Sequence, residues 1–292
     1  MKTYSTTDIE NYYHHTKFAY NTFWKTKEFH ALHFGYWDET TENFADALRR
    51  ENEILANMAK IKSSDIVLDA GCGVGGSSIY LANEIGCEVK GITVSPYQVE
   101  EATKNAKQFQ VDDKTEFSNQ DYLNTKFEDN TFDVIWGLES VCHANSKEDF
   151  LKEAYRILKP NGRIIVADYF LIRQPESETE VKLLREWTNG WILPYVENAY
   201  VFTNILRELG FYSALDVNSE EEMFVNATLN ALPSSKRLHD VSVKAKPIVT
   251  LLKLLRLRNE FHLNNIKASI SQYKLLRQHL WQYCIFSAIK NR

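Results

Sequence analysis

Apolar residues follow two different periods through the middle of the chain. Runs rich in β-branched residues predict five strands, at residues 66–70, 87–94, 114–119, 131–138 and 162–170. Between these runs, residues 75–85, 95–109 and 146–158 place apolar side chains three and four positions apart, which predicts helices with one buried face. Because strands alternate with helices, we expect a parallel sheet covered by helices on both faces.

Helical patterns also flank this alternating region. Residues 6–60 are rich in aromatic side chains and predict two helices around the segment 29–38. We expect residues 1–60 to form a lid over the core. Beyond the core strands, residues 176–209 show a further helical pattern.

A long insertion separates the last two predicted strands, at 211–217 and 280–290. Its length of roughly 60 residues far exceeds the usual connection of about 2 to 6 residues, which favours a functional role. We therefore expect a helical insert at 218–279 that acts as a substrate cap. The core then comprises residues 61–217 and 280–292.

The overall charge is mildly acidic. The 292 residues include 34 lysines and arginines against 39 acidic residues, a net charge of −5. A bulk nucleic-acid binder needs a basic surface, so we expect no nucleic-acid partner. No apolar run approaches the roughly 18 residues of a membrane span, which favours a cytoplasmic protein. The four cysteines are widely spaced and form no C-x-x-C pair, which predicts reduced thiols.

The insertion differs in charge from the rest of the chain. Residues 236–277 contain ten lysines and arginines but only two acidic residues, and residues 248–261 add a broad apolar face. One interpretation is a helix packed on the core with a solvated basic face. The alternative is a surface for lipid or for an anionic ligand.

The strongest local motif follows the first predicted strand, where residues 67–76 have the sequence VLDAGCGVGG. Glycines allow the backbone to approach a ligand closely, and the following helix offers free N–H groups. The spacing of Gly71, Gly73 and Gly76 also fits dinucleotide enzymes. Asp69 separates the two possibilities, because a carboxylate repels a pyrophosphate but attracts the ammonium group of S-adenosylmethionine.

Four motifs in order extend this evidence: DAGCGVGG, GITVSPYQ, DYLNTKFEDNTFDVIWGLESVCH and ILKPNGRIIVAD. Together they resemble the class I S-adenosylmethionine-dependent methyltransferases over about residues 60–170. Within that class they are most similar to the small-molecule branch that contains sterol and tocopherol methyltransferases. The resemblance implies a Rossmann-like, doubly wound α/β sheet of seven strands, mostly parallel with an antiparallel last strand.

The resemblance also implies which positions contact S-adenosylmethionine. The implied contacts are Asp69, Gly71 and Gly73 at the methionine end, Thr93, Ser95 and Gln98 at the ribose and adenosine, Asp121 and Tyr122 at the adenine, and Leu138 and Glu139 beside the sulfonium. One departure is Thr93, which stands where many relatives have an acidic residue.

Candidate catalytic residues follow the fourth strand, at the carboxyl edge where open α/β sheets bind ligands. His143 could remove a proton from the methyl acceptor, and Glu139 could orient that acceptor or stabilise a cationic intermediate. His143 could equally lie behind the site in a supporting role.

Aromatic residues and histidines of the lid are further candidates. In relatives the equivalent segment closes over the cofactor, so we expect Tyr13 to contact it. His33, Tyr36 and Trp37 are candidates for substrate binding. The lid histidines lack the spacing of a known metal site, so no metal is expected.

These observations predict a methyltransferase that acts on a small, lipophilic or prenylated molecule at carbon or oxygen. An amine N-methyltransferase is an alternative, because Glu139 and aromatic side chains suit a cationic acceptor. A nicotinamide oxidoreductase and a non-catalytic cofactor-binding protein are alternatives of other classes.

Overall fold

The structure, a computed structural model, describes residues 2–19, 30–215, 223–255 and 260–292. The strands are β1 (Ile66–Ala70), β2 (Glu88–Thr93), β3 (Thr115–Asn119), β4 (Phe132–Leu138), β5 (Leu158–Leu171), β6 (Phe211–Ser213), β7 (Phe224–Asn226) and β8 (Trp281–Lys290). The helices are α1 (Thr6–Ala19), α2 (Phe44–Met58), α3 (Gly76–Tyr80), α4 (Pro96–Gln108), α5 (Lys147–Ile157), α6 (Glu178–Gly190), α7 (Ala199–Glu208), α8 (Thr228–Leu254) and α9 (Glu260–Arg277).

One sheet organises the molecule, with strand order β3-β2-β1-β4-β5-β8-β6 and the short β7 paired to β8. The pairs among β1 to β5 are parallel, and β8 runs antiparallel to its three neighbours. The strand order reverses at β1, so the crevice between the carboxyl ends of β1 and β4 is where an open α/β sheet binds its ligand. The predicted doubly wound, mostly parallel sheet is confirmed.

Three local features differ from the prediction. The first lies in β5, which starts at Leu158 and not at the predicted residue 162. Residues 159–162 form a bulge opposite β4, where Phe132 pairs with Leu158 and Val134 with Arg163. The second is the helical stretch 176–209, which is two helices, α6 and α7.

The third difference is an eighth strand, β7, within the predicted helical insert. It pairs with residues 284–286 of β8 and has only three residues, too few to show an alternating pattern. Parts of some predictions lie outside the described residues. These parts are residues 1 and 20–29 of the predicted lid, residues 216–217 of the predicted strand, and residues 218–222 and 256–259 of the predicted insert, which include the basic residues 256 and 258.

The N-terminal segment packs directly on the carboxyl edge of the sheet. A Cβ atom on Gly76 would lie 2.2 Å from the carbonyl oxygen of His30, so glycine permits the lid to contact α3. The backbone N–H of Tyr4 donates to Asn145 at 2.9 Å, and the side chain of Asn145 donates to the Tyr4 carbonyl at 2.7 Å. These contacts place α1 over the crevice.

Helices α8 and α9 of the insert close the other side of the crevice. The indole of Trp37 donates to Ser234 of α8 at 2.8 Å, and Asn265 of α9 donates to Tyr12 of α1 at 2.7 Å. The insert therefore contacts the lid as well as the core. Among the described residues, no helix is both long and apolar enough to cross a bilayer.

Candidate active site

The glycine turn connects β1 to α3 and shapes the floor of a cavity. Gly71 and Gly75 adopt φ values of +91° and +89°, in the left-handed region that glycine favours. A Cβ atom on Gly71 would lie 2.5 Å from the Cβ of Ser140, so no larger residue fits there. A Cβ atom on Gly73 would meet nothing within 4 Å, because this residue faces the cavity.

This cavity has a volume of about 350 Å³ and brings most of the predicted site residues together. Predicted site residues that line it are Tyr13, His33, Asp69, Gly71, Gly73, Thr93, Gln98, Asp121, Tyr122, Leu138, Glu139 and His143. Residues from the lid, the glycine turn, β2 and β4 thus converge on one space. We refer to it below as the glycine-turn cavity.

Three predicted residues lie elsewhere. The side chain of Ser95 caps α4 by accepting the Gln98 backbone N–H at 3.4 Å, and Ser95 is not among the residues that line the cavity. Tyr36 and Trp37 also lie outside that lining. The Tyr36 backbone N–H donates to the Ala47 carbonyl, and Trp37 binds α8, so the two residues join the lid to α2 and to the insert.

Asp69 lies at the end of β1 with its carboxylate buried. The Ser78 hydroxyl donates to it at 2.6 Å. Burial raises the pKa of Asp69 to about 6, although the Ser78 hydrogen bonds and the nearby His33 act in the opposite direction. A carboxylate that loses solvation in this way gains from a cationic ligand group.

Polar side chains from β2 and β3 line the far end of the cavity. The Thr93 hydroxyl donates to Gln98 Oε1 at 2.6 Å, which leaves the amide nitrogen of Gln98 available to a ligand. Asp121 accepts the Leu123 backbone N–H at 2.9 Å through one oxygen. These groups can accept and donate hydrogen bonds at the ribose and adenine of a nucleoside.

Glu139 terminates β4 in the left-handed region, with φ +45°. Its buried carboxyl accepts the Phe34 backbone N–H at 2.6 Å and contacts the hydroxyl groups of Tyr169 and Tyr283. Burial, reinforced by the neighbouring Glu51, raises its pKa well above the ordinary value. Glu139 is thus fixed in place by residues of the lid, β5 and β8.

His143 belongs to a short 3₁₀ turn, Val141–His143, that follows β4. Its Nε2 lies 3.1 Å from the hydroxyl of Tyr13, and its Nδ1 lies 3.5 Å from the Ile192 carbonyl. Burial lowers its pKa to about 4, so the imidazole is neutral at pH 7. A neutral imidazole can accept a proton from a ligand hydroxyl.

Two buried charged residues that the sequence analysis missed hold this turn. Lys147 donates to the carbonyls of Cys142 and Ala144 at 3.0 and 2.8 Å, and burial lowers its pKa to about 8. Asp168 accepts the Cys142 backbone N–H at 2.7 Å, and burial raises its pKa to about 6. In the sequence, Lys147 is simply the first residue of an amphipathic helix, with no sign that it is buried.

A second, smaller chamber of about 50 Å³ adjoins the glycine-turn cavity. The two spaces share Tyr13, Leu32, Glu139 and His143. The other residues that line the chamber are mainly aromatic or aliphatic: Tyr12, Phe34, Cys142, Tyr169, Trp191, Leu193, Leu238, Asn265 and Ser269. Leu238, Asn265 and Ser269 belong to the insert, which therefore forms one wall of this apolar chamber.

Comparison with known proteins finds methyltransferases. The methyltransferase-domain family matches residues 68–166. The 27-O-demethylrifamycin SV methyltransferase of Amycolatopsis mediterranei (strain S699) is 35% identical over 190 residues, covering 64% of this chain and 69% of that protein. The sterol 24-C-methyltransferase of Saccharomyces cerevisiae is 34% identical over 172 residues, covering 58% of this chain and 45% of that protein. The solved structure of a geranyl diphosphate methyltransferase has a TM-score of 0.75 at 19% identity, covering 98% of this chain and 99% of that chain.

The fold and the site define an S-adenosylmethionine-dependent methyltransferase. The chain belongs to this family, as the four sequence motifs predicted, and its relatives include the sterol methyltransferases. The aligned region spans less than half of the yeast sterol enzyme but more than two thirds of the rifamycin enzyme. The solved structure shares the fold.

The residues present fit S-adenosylmethionine on three observations. The carboxylate of Asp69 offers a negative charge to an ammonium group, and the open face of Gly73 leaves room for a ligand against the backbone. The Nε2 atom of His33 is buried and has no hydrogen-bond partner among the described residues. Each of these features is completed by a polar ligand in the glycine-turn cavity.

Proposed function

We propose that this enzyme methylates a small, uncharged, lipophilic or prenylated molecule at carbon or oxygen. The observation that carries the proposal is the junction between the two spaces. Tyr13, Leu32, Glu139 and His143 line both the polar glycine-turn cavity and the apolar chamber. A methyl donor in the first space and the reacting end of an acceptor in the second would meet at these residues.

The residues of the glycine-turn cavity bind and orient the donor in this proposal. Asp69 receives its ammonium group, Gly71 and Gly73 border its methionine part, and Thr93, Gln98, Asp121 and Tyr122 surround its nucleoside. When bound, S-adenosylmethionine supplies a methyl group on a sulfonium that is already an activated leaving group. The protein chiefly aligns the reactants and excludes water.

The apolar chamber, with a volume of about 50 Å³, has room only for the reacting end of an acceptor, and its walls indicate the chemical class of that end. Phe34, Tyr169 and Trp191 form a cluster with ring centroids 5.6 to 6.4 Å apart, and Leu238 adds an aliphatic side chain from the insert. Such walls favour apolar molecules by removing their surface from water. We propose that residues 218–279 act as the substrate cap and residues 1–60 as the lid.

His143 and Glu139 serve different roles in this proposal. His143 is neutral at pH 7 and takes the proton that an acceptor hydroxyl loses, directly or through the Tyr13 hydroxyl at 3.1 Å. Glu139 positions the reactants. If carbon is methylated, the electron-rich faces of Tyr169 and Trp191 stabilise the positive charge that develops on the acceptor.

The positive charges of the insert lie mostly outside these spaces. Lys236 pairs with Asp240 at 2.7 Å, Lys253 pairs with Glu260 at 2.6 Å, and Arg237 lies over the ring of Phe44. None of the described lysines and arginines of the insert is among the residues that line either space. We therefore favour an uncharged acceptor.

A transfer assay tests the proposed function. The protein is incubated with methyl-labelled S-adenosylmethionine and four acceptors: a sterol with a side-chain alkene, a prenylated phenol, geranyl diphosphate and a primary amine. We expect label in the sterol or the phenol. Label in the amine alone would support an N-methyltransferase, and cofactor binding without transfer to any extracted metabolite would support a non-catalytic protein.

We also propose a cytoplasmic enzyme that contacts membranes through α8. Ile248, Leu251, Leu254 and Leu255 each expose more than half of their surface, contrary to a helix packed on the core. Lys244 lies on the same helical face as Ile248, Leu251 and Leu255, at spacings of four, three and four residues. An apolar face with an adjacent lysine fits an anionic lipid surface, where an apolar acceptor would dissolve.

The four cysteines are free and buried, which supports a reducing compartment for this enzyme.

A further inference from the structure

His33 presents a polar atom to the glycine-turn cavity that the described structure does not satisfy. Its side chain lines the cavity, and the residue is only 4% exposed. Its Nε2 has no hydrogen-bond partner among the residues that the structure describes. A buried ring nitrogen without a hydrogen-bond partner is unfavourable, so it indicates a ligand atom that completes it.

The position of His33 shows which part of the ligand it faces. His33 lies close enough to Asp69 to lower the pKa of that carboxyl against the larger effect of burial. We assign Asp69 to the ammonium group of S-adenosylmethionine. The carboxylate of the donor is attached to the same carbon atom as this ammonium group, so it also lies beside Asp69 and within the neighbourhood of His33.

The other ring nitrogen of His33 is held by Glu51 of α2. Nδ1 lies 2.6 Å from Glu51 Oε2, and the Gly35 backbone N–H donates to the same oxygen at 2.8 Å. Both side chains are buried. An ionised carboxylate only accepts hydrogen bonds, so Nδ1 must carry a proton opposite an ionised Glu51. Nε2 can then donate a hydrogen bond only if His33 is an imidazolium.

A tyrosine connects Glu51 to Glu139. The hydroxyl of Tyr283 lies 2.8 Å from Glu51 Oε1 and 3.0 Å from Glu139 Oε1. The phenol has one proton and donates to only one of these oxygens. The second contact is a hydrogen bond only if the other carboxyl carries a proton itself. The carboxyl groups of Glu51 and Glu139 therefore share one proton, in addition to the proton of the Tyr283 phenol.

The environment places this proton on Glu139. Glu139 is buried beside Glu51, and its pKa is raised well above the ordinary value, whereas Glu51 Oε2 lies 2.6 Å from His33 Nδ1. Glu139 then donates to Tyr283, and Tyr283 donates to Glu51.

We propose that His33, held in place by Glu51, donates a hydrogen bond from Nε2 to the carboxylate of S-adenosylmethionine. Asp69 and His33 together match the two charges of the amino-acid end of the donor. Glu51, Tyr283 and Glu139 are positioning residues that act through His33. This inference rests on the proposed function only in taking S-adenosylmethionine as the ligand.

Decarboxylated S-adenosylmethionine tests the assignment, because it keeps the ammonium and the sulfonium but lacks the carboxylate. Calorimetry measures the affinity of both compounds for the full chain. We expect the wild-type protein to bind S-adenosylmethionine about ten-fold or more tightly than the decarboxylated compound, as for one charged hydrogen bond. His33→Asn should weaken the binding of S-adenosylmethionine by a similar factor. It should change the affinity for the decarboxylated compound by less than about two-fold.

Two further variants sharpen the test. Glu51→Gln should act in the same direction as His33→Asn, since it removes the charge opposite the imidazole. His239→Asn is the matched control, because His239 contacts Asp240 and Tyr273 on the insert and lines neither space. This control should bind both compounds like the wild-type protein.

The possible results are distinct. Equal wild-type affinity for both compounds would overturn the assignment even if no variant folds. The assignment would also be overturned if a folded His33→Asn protein lost affinity equally for both compounds, or lost affinity for neither. If the wild-type protein bound neither compound and transferred no methyl group, the proposed function itself would fail.

Discussion

The pKa of Asp69 predicts how cofactor binding depends on pH. Asp69 is buried, and its pKa in the free protein is raised to about 6. The ammonium group of the cofactor favours the ionised carboxylate, so the bound form has a lower pKa and binding below pH 6 releases a proton. The affinity should therefore rise with pH and level off above pH 6.

The magnitude follows from the ionised fraction of this carboxyl. With a pKa of about 6, roughly nine tenths of Asp69 is ionised at pH 7 and roughly one tenth at pH 5. The dissociation constant of S-adenosylhomocysteine should therefore increase about ten-fold between pH 7 and pH 5, equivalent to about 1.4 kcal/mol. Calorimetry at half-unit pH intervals measures this change.

Asp69→Asn provides the comparison, because it keeps the shape and can still accept from Ser78. The variant should bind about 10- to 100-fold more weakly at pH 7, as expected for the loss of a charged hydrogen bond. It should also lose the pH dependence. A wild-type affinity that stays constant from pH 7 to pH 5, or an equal slope in the variant, would refute the reasoning.

Three other predictions concern the proton acceptor, the cap and the membrane surface. His143→Gln should lower kcat about 10²- to 10⁴-fold and leave the affinity for S-adenosylhomocysteine within about two-fold of the wild-type value. A loss of both turnover and cofactor affinity would assign His143 to cofactor binding instead. Leu238→Ala should raise the KM of an apolar acceptor about 5- to 50-fold with little change in cofactor affinity, because it removes apolar contact from the chamber. Steady-state kinetics measure this change, and an unchanged KM would show that the insert does not contact the acceptor. Leu251→Ser should weaken cosedimentation with anionic lipid vesicles. Leu229→Ser, which changes a still more exposed leucine at the other end of α8, should not weaken it, and equal effects of the two substitutions would contradict a specific lipid face.

The sequence predicted most of the sheet because its strands carry strong local signals. Residues 66–70 match β1 at both ends, since a β-branched run there stops at a glycine turn. The short β7 has no comparable signal. Its three residues become a strand only because β8 offers them an edge, which is a tertiary effect.

The site was predictable where its residues share a motif and not where the fold assembles it. Asp69 and Glu139 were identified from the motifs that follow β1 and β4. Glu51 and Tyr283 come from α2 and β8, 232 residues apart, and meet at one hydroxyl group. Trp37 shows the opposite case. Its aromatic character suggests substrate binding, but its indole donates to Ser234 of α8, and the residue lines neither space.

The structure of the protein bound to S-adenosylhomocysteine and an apolar acceptor tests the central claim most directly. We predict that the amino group lies within hydrogen-bond distance of Asp69 and that the sulfur atom faces the acceptor across Tyr13, Glu139 and His143. A sulfur atom turned away from the apolar chamber, or an acceptor bound outside it, would contradict the account.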